Sequence, residues 1–368
     1  MSSPSLVQDV VIGLRRELAE MRLTGARGRR CAMAAGAAVL AVSLALALHV
    51  EDAWWAAISA FVCSQATAPA SVQRGVLRIL GTLAGAAMAL SLSPWLAGDP
   101  IALSLALFLV SAVGVLGLLV SSYGYAWLLG AVTVDMVLMA LLSNPASAIG
   151  VGVSRSAEVI IGTVSAMLVA LLVGPEAHPR PVAHAPGWSN LLGDQWPAVR
   201  HAVRAGLAVM LVPLVWSWLD LPSLSQTAVT AAAVMAVPAV SGDAAADQRK
   251  VTERAIHRLL GCVAGGVAGL GCLAVSVDSL LPWMMMLTAG IWISAHVQAS
   301  DRGIGYVGTQ AAVVFISTLV QGAGPPTSIL PGIERFAGIT GGLLILLGVL
   351  VLTAPDGVTA AASPRRAS

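Results

Sequence analysis

Residues 74–85 read RGVLRILGTLAG, and residues 254–265 read RAIHRLLGCVAG. The two segments lie 180 positions apart, and in each of them two arginines one helical turn apart lead into Leu-Gly-x-x-Ala-Gly and a long apolar run. A pattern that recurs over such a distance is typical of an internal duplication. We therefore expect two copies of one structural unit in this chain.

The composition indicates that this unit lies in a membrane. Of the 368 residues, 57% are hydrophobic and 10% are charged, whereas about a quarter of the residues of soluble domains are charged. The net charge of +2 does not indicate nucleic-acid binding. The cysteines form no CxxC pair and the histidines lack metal-ligand spacing, so we expect no metal and no cofactor. With no Walker motif and no large soluble domain, we expect neither an ATPase nor another enzyme.

Twelve apolar segments approach the roughly 17–25 residues that a membrane-spanning helix requires. They are residues 31–49, 54–70, 79–97, 101–121, 125–142, 156–173, 201–219, 224–240, 259–277, 282–299, 305–320 and 333–353. The predicted fold is therefore an all-α integral membrane protein with twelve transmembrane helices.

The basic residues predict the orientation of these helices. With a cytoplasmic N-terminus, all of the 20 basic residues except Arg155 and Arg335 fall on the cytoplasmic side, which agrees with the positive-inside rule. Because six spans are an even number, both halves enter from the same side and form parallel repeats. We expect both termini in the cytoplasm and the protein in the bacterial inner membrane.

The chain then divides into five segments. They are a cytoplasmic N-terminal segment (1–30), a first six-helix repeat (31–173), a cytoplasmic linker (174–199), a second six-helix repeat (200–353) and a cytoplasmic tail (354–368). In the N-terminal segment, apolar residues recur at helical spacing among charged ones. This pattern is compatible with an amphipathic helix on the membrane surface and also with a frayed tail.

The doubled pattern, together with the preceding helix that carries Trp54-Trp55-Ala56 and Ser64-Gln65, resembles the fusaric acid resistance (FUSC) family of the aromatic acid exporter superfamily. The resemblance implies export of aromatic carboxylic acids from bacteria, often with a periplasmic membrane-fusion protein as partner. Larger members carry a cytosolic domain after each six-helix half, where this chain has the linker 174–199. The sequence is also compatible with a homo-oligomer.

The paired arginines are the first candidates for substrate binding. At the cytoplasmic mouth, Arg74, Arg78, Arg254 and Arg258 offer planar guanidinium groups that suit a carboxylate. Alternatively, they are anchors that extend to lipid phosphates. Tyr125, Tyr306 and Gln310 lie near the start of the fifth helix of each half. They either stack on an aromatic substrate or belong to an interfacial belt.

Asp135 is the candidate for proton coupling. It lies deep in an apolar helix, where a carboxylate costs on the order of 2.5–3.5 kcal/mol and therefore needs a partner, water or a proton. The other interpretation is a packing role through Arg155. Arg155 also lies three residues before Glu158, which favours a structural ion pair. Glu158 and Glu334 recur at the outer entry of the sixth helix of each half, and Glu334 is assigned to the same structural role.

The function that this sequence predicts is proton-linked efflux of aromatic or other organic acids. Two alternatives stay open. One is a passive organic-anion channel, and the other is a membrane assembly protein without transport. The expected partners are a small organic anion and the lipid bilayer.

Overall fold

The computed structural model describes residues 6–144, 146–175, 185–219, 224–237, 240–275, 279–322, 328 and 330–353. Within these residues the chain forms thirteen α-helices and no β-strand. The helices are α1 (Leu6–Ala19), α2 (Gly25–Ala47), α3 (Ala53–Cys63), α4 (Ala68–Leu96), α5 (Pro100–Val120), α6 (Gly124–Ser143), α7 (Ser147–Val173), α8 (Trp196–Leu219), α9 (Leu224–Met235), α10 (Ala244–Leu273), α11 (Leu280–Gln298), α12 (Gly305–Leu319) and α13 (Leu330–Leu352). The predicted all-α class is confirmed. The tail 354–368 and residues 176–184 of the linker lie outside the described residues.

Nine of the helices in the described residues are long and apolar enough to cross a membrane. The remaining apolar helices, α3, α9 and α12, are shorter. Each predicted span coincides with one of the helices α2–α13, which makes the chain a multi-pass membrane protein. We call α2–α7 the first half and α8–α13 the second half.

Two predicted spans, 54–70 and 224–240, are wrong in extent. Helix α3 has 11 residues and α9 has 12, or about 17 Å at 1.5 Å per residue, against a hydrocarbon core of about 30 Å. Helix α3 ends because Ser64 takes an extended conformation and Thr67 caps the next helix. The hydroxyl of Thr67 accepts from the Ala70 amide, and Pro69 occupies the first turn of α4.

Helices α3 and α9 lie at the centre of the molecule. Ten of the 11 residues of α3 are buried, as expected for a helix that is apolar on every side. It packs against α2 and α7 of its own half and against α12 of the other half. In the same way, α9 packs against α8 and α13 and against α6.

The two halves are interlocked. Helix α2 packs against α11, and helix α8 packs against α5, so the first helix of each half lies on the other half. One apolar core joins α2 and α3 to α11 and α12, and a second core joins α5 and α6 to α8, α9 and α13. Because each core contains helices of both halves, neither half buries its apolar surface alone.

Glycines allow α4 to approach α6 and α10 to approach α12. A Cβ atom at Gly85 would overlap the carbonyl group of Gly130, and a Cβ atom at Gly265 would overlap the carbonyl group of Ala311. Small residues of this kind are the usual means of close helix packing in a bilayer, where lipid supplies no hydrophobic drive.

Replacing Gly265 by alanine is therefore expected to destabilise the protein. The added methyl group meets rigid backbone, which costs on the order of 1–3 kcal/mol, and the unfolding temperature in detergent should fall by several degrees. Gly271→Ala is the matched control on the same helix, because a Cβ atom there meets nothing within 4 Å. Equal unfolding temperatures for the two variants would show that this helix contact does not limit stability.

The N-terminal segment forms helix α1, so the frayed tail is excluded for Leu6–Ala19. Val10 packs against Val297, Ile304 and Val307 at one end of the second half. Glu17, with 1% of its side chain exposed, is the polar anchor of this contact. Its Oε2 atom accepts hydrogen bonds of 2.6 Å from the Ser300 hydroxyl and from Arg302, and its Oε1 atom pairs with Arg27 at the start of α2.

The Glu17 anchor predicts a dependence on pH. Burial raises the pKa of Glu17, but the hydrogen bonds from Ser300, Arg302 and Arg27 outweigh burial and hold the pKa below its ordinary value of 4.5. A carboxylate with a lowered pKa stabilises the folded state fully above pH 4.5, and this contribution is lost as the pH falls through the lower, folded-state pKa.

We expect α1 to stay docked at neutral pH and to detach in acid below that value. Glu17→Gln should release α1 already at neutral pH, at a cost on the order of 2 kcal/mol. Limited proteolysis of residues 6–24 measures this release. Glu20→Gln, which removes one exposed pair with Arg302, is the control. If the two variants are cleaved equally slowly, Glu17 does not hold the helix.

Candidate functional site

The first arginine–tyrosine cluster consists of Ser59, Arg74, Arg78 and Tyr125. Arg78 lies on α4 with 5% of its surface exposed. Its guanidinium donates to the Tyr125 hydroxyl at 2.9 Å and to the Ser59 hydroxyl at 3.0 Å. One turn earlier on α4, the Arg74 guanidinium lies over the Tyr125 ring, 4.1 Å from its centre. Helices α3, α4 and α6 thus meet at two guanidinium groups, one over the Tyr125 ring and one at the Tyr125 hydroxyl.

The second arginine–tyrosine cluster consists of Thr230, Arg254, Arg258, Tyr306 and Gln310. Arg258, also 5% exposed, donates to the Gln310 side-chain oxygen at 2.8 Å and to the Thr230 hydroxyl at 2.9 Å. The Tyr306 hydroxyl lies 3.5 Å from the same guanidinium. Arg254 lies 3.9 Å over the Tyr306 ring. The contacts reproduce those of the first cluster on α9, α10 and α12.

Besides the exchange of Ser59 for Thr230, one difference changes the polar contacts of the two clusters. Four residues after its tyrosine, the second cluster has Gln310, whereas the first has Leu129. On α12, the shortest hydrogen bond of Arg258 is therefore to the side-chain amide of Gln310. On α6, the hydrogen bond of Arg78 is to the Tyr125 hydroxyl. The two clusters offer similar charge in different polar surroundings.

The four guanidinium groups lack negative partners in the part of the chain that the structure describes. No carboxylate lies within 4 Å of them in those ranges. The Nε atoms of Arg74, Arg78 and Arg258 are buried without a hydrogen-bond partner. A buried cation without a counter-charge is costly, and an anion would relieve that cost.

The burial of Arg78 and Arg258 also bears on the alternative interpretation of these residues. An anchor that extends to lipid phosphates keeps its charged head at the polar boundary. The two guanidinium groups instead lie inside the protein, against the central helices α3 and α9. Arg74 and Arg254 are half-buried and stack on the tyrosines.

Asp135 lies on α6 and is fully buried. Its Oδ2 atom accepts a 2.8 Å hydrogen bond from Ser111 on α5, and its Oδ1 atom has no hydrogen-bond partner. Within the described residues it forms no ion pair, and Arg155 contacts other groups. Ten residues of helix, about 15 Å, separate it from Tyr125. The structure therefore does not bring Asp135 and the arginine clusters into contact.

Arg155 and Glu158 lie together on α7. Their side chains approach to 3.2 Å, and both are buried. The Arg155 guanidinium also lies 3.4 Å over the Trp55 ring at the start of α3. The Oε1 atom of Glu158 has no hydrogen-bond partner. Glu334 is exposed and stands apart from this pair.

Arg335 from the second half reaches the same tryptophans. Its guanidinium lies 3.5 Å over the Trp54 ring and donates to the Ser317 carbonyl oxygen at 3.0 Å. The Trp54 and Trp55 rings are 4.1 Å apart. One arginine from each half therefore converges on adjacent tryptophans of α3, at the opposite end of that helix from Cys63.

The glycine contacts of α7 and α13 favour a different register from the one that matches Glu158 with Glu334. On α7, a Cβ atom at Gly162 would meet the Ala56 carbonyl oxygen, and the corresponding contact with the Thr227 carbonyl on α9 falls on Gly342. Gly342 follows Gly162 by 180 positions, as Arg335 follows Arg155. Glu334 does not take the place of Glu158 in this register.

Sequence reasoning missed the residues that complete these clusters. Ser59 is the one hydroxyl-bearing residue of the apolar helix α3, and that isolation was the available signal for it. Thr230 gave no such signal, because α9 also contains Ser225, Gln226 and Thr227. Arg335 was placed on the outer side without a partner. Its separation of 180 residues from Arg155, the same as between the arginine motifs, was the signal for it.

An apolar groove lies between α4, α5 and α6. Its volume is about 510 Å³, and its lining includes Gly81, Met88, Val113 and Trp127. It contains no charged side chain, so it offers nothing to hold an anion.

Comparison with known proteins adds one finding. Residues 32–187 match the model of the Fusaric acid resistance protein family. Neither a curated protein nor a solved structure matches the chain. The matched residues contain most of α2, the whole of α3–α7 and the whole of the first arginine–tyrosine cluster. The resemblance of this multi-pass helical membrane protein to the FUSC family is therefore confirmed over residues 32–187.

Proposed function

We propose that this protein exports organic anions, aromatic carboxylates among them, across the bacterial inner membrane. The family match supports a role in transport. The observation that carries the substrate class is the pair of arginine–tyrosine clusters, where buried guanidinium groups have no carboxylate partner in the described residues. A carboxylic acid substrate supplies the missing charge.

The proposed architecture is twelve crossings in two parallel repeats, 31–173 and 200–353, with cytoplasmic termini. Matching contacts support it, because Arg78 and Arg258, Gly85 and Gly265, and Gly162 and Gly342 make corresponding contacts in the two halves, each pair at an offset of 180 residues. The short helices α3 and α9 complete their crossings with the segments that follow them. Non-helical backbone at membrane depth is tolerated where protein surrounds it.

In the proposed mechanism, the neutral partners orient each guanidinium without neutralising it. The hydroxyls of Ser59 and Thr230 hold Arg78 and Arg258 against the central helices. Tyr125 and Tyr306 fix the other arginine of each pair by stacking. In either half, the planar guanidinium group keeps its positive charge and binds the carboxylate. Because the halves share two cores, a change at one cluster is mechanically linked to the other half.

Proton coupling is proposed at Asp135. The carboxyl group is fully buried, has one hydroxyl partner and leaves one oxygen unpaired. A carboxyl group in this setting suits uptake and release of a proton during a transport cycle. The second half has Ile316 at the corresponding position, so the proposed coupling site belongs to the first half alone.

Uphill transport by the purified protein in liposomes tests this function. With an imposed proton gradient, liposomes that contain the protein should accumulate benzoate faster and to a higher level than protein-free liposomes, in which benzoic acid crosses the bilayer unaided, and they should not accumulate the neutral analogue benzamide. A protonophore should abolish the accumulation. Benzoate flux that follows only its own gradient and ignores the protonophore would instead identify the passive channel.

A further inference from the structure

Helix α1 has an exposed apolar stripe that the contacts within the protein do not use. Val7, Val11 and Leu18 are four and seven residues apart and therefore share one face of the helix. All three are exposed, Val11 by 52% of its surface. Exposing a stripe of this kind to water costs free energy, so we expect a partner to cover it.

The stripe is nearly perpendicular to the face by which α1 docks. Val10 and Glu17 form the docking face, and Val11 and Leu18 each follow one of them by a single residue. One residue of an α-helix turns by about 100°. A helix with two contact faces at this angle fits the corner between the wall of a protein and the surface of the bilayer.

The position of α1 along the membrane normal supports this placement. Helix α2 starts at Gly25, five residues after Ala19 ends α1, and α2 is long and apolar enough to enter the bilayer. On its docking face α1 contacts the loop between α11 and α12, where Ile304 lies against Gly13. Both neighbours hold α1 at the level where membrane helices end.

The charges next to the stripe identify the kind of surface that it fits. Arg15 lies about 60° from Leu18 on the helical wheel, on the side away from the docking face, and it is exposed. Arg22, Arg29 and Arg30 follow in the same segment and are also exposed. An apolar stripe bordered by arginines is typical of helices that bind anionic lipid surfaces.

We propose that α1 is an interfacial helix that inserts Val7, Val11 and Leu18 between the lipids of one leaflet and binds anionic phospholipid headgroups through Arg15. Glu17 holds the adjacent face on the second half. The occupant of the stripe is the protein's own bilayer. This proposal rests on the proposed architecture only for the location of α2 in the membrane. It does not depend on transport or on the substrate.

The test compares two positions of α1 in the full-length protein in lipid nanodiscs. Val11→Cys and Ile12→Cys are matched, because their side chains are exposed by 52% and 48% on different faces. Each is labelled with a fluorescent probe and quenched with lipids that carry a spin label in the acyl chain. The unmodified protein, in which Cys31, Cys63 and Cys262 are buried, gives the background.

We expect quenching at position 11 to exceed quenching at position 12 at least about twofold, as for a face that enters the acyl boundary. Replacing anionic lipid by zwitterionic lipid should reduce the difference, Arg15→Gln should reproduce that reduction, and Arg16→Gln should not. Equal quenching at both positions overturns the proposal. So does a probe at position 11 that both lipid and aqueous quenchers fail to reach, since this result indicates a protein partner. Nanodiscs expose both leaflets, so the readout is independent of orientation and of transport.

Discussion

Replacing Arg78 and Arg258 together by glutamine should lower the export of an aromatic carboxylate at least about tenfold. Hydrogen bonds to charged groups contribute about 1.5–3 kcal/mol, and 1.4 kcal/mol corresponds to a factor of ten. Glutamine keeps a polar side chain at each position but lacks the positive charge and the forked donors of the guanidinium. The measurement is initial flux in liposomes, normalised to inserted protein.

Controls separate lost binding from lost folding. Arg29→Gln removes an exposed arginine of the same charge and should leave the flux unchanged. The unfolding temperature of the double variant should stay near or above that of the parent, because a buried cation without a counter-charge has been removed. Lysine at both positions keeps the charge without the planar fork and should restore part of the flux. Full flux in the glutamine variant would rule out the arginine clusters as the anion site.

Asp135→Asn should abolish accumulation against a gradient while benzoate still crosses down its own gradient. Asparagine has nearly the same shape and keeps the hydrogen bond with Ser111, but it carries no exchangeable carboxyl proton. Without proton exchange the flux has no coupling to the imposed gradient. The expected result is benzoate accumulation no higher than in protein-free liposomes under the same imposed gradient.

A control on the same helix sharpens this prediction. Thr133 lies two residues before Asp135, is also buried, and donates only to the Leu129 carbonyl oxygen of its own helix. Thr133→Val should retain accumulation, which would exclude a general effect of polar substitution in α6. Undiminished uphill transport by Asp135→Asn would place the coupling elsewhere.

Hydrophobic patterning predicted where the helices lie because each apolar run must be buried in lipid or protein. It placed a helix at each of α2–α13, but it was wrong about where α3 and α9 end. Hydropathy does not register Thr67 as a cap, and the few polar residues at the break, Ser64, Gln65 and Thr67, carry no charge that would end the run 54–70. The predicted span 79–97 was too short for a different reason: α4 starts at Ala68, and hydropathy leaves out its first turns because they carry Gln73, Arg74 and Arg78.

The site was predictable in its charges but not in its contacts. The doubled motif identified the paired arginines, and nothing in the spacing indicated that Tyr125 would lie between Arg74 and Arg78. That arrangement depends on how α4 meets α6, which the glycines fix in three dimensions. The partner of Asp135 was missed for a similar reason, since Ser111 lies on a separate helix.

Binding of a carboxylate to the purified protein is the decisive measurement for the arginine clusters. Benzoate should raise the unfolding temperature of the parent protein, benzamide should not, and the shift should disappear in the Arg78→Gln/Arg258→Gln variant. If benzoate and benzamide shift the parent equally, or if the double variant keeps the benzoate shift, the buried guanidinium groups do not bind the anion.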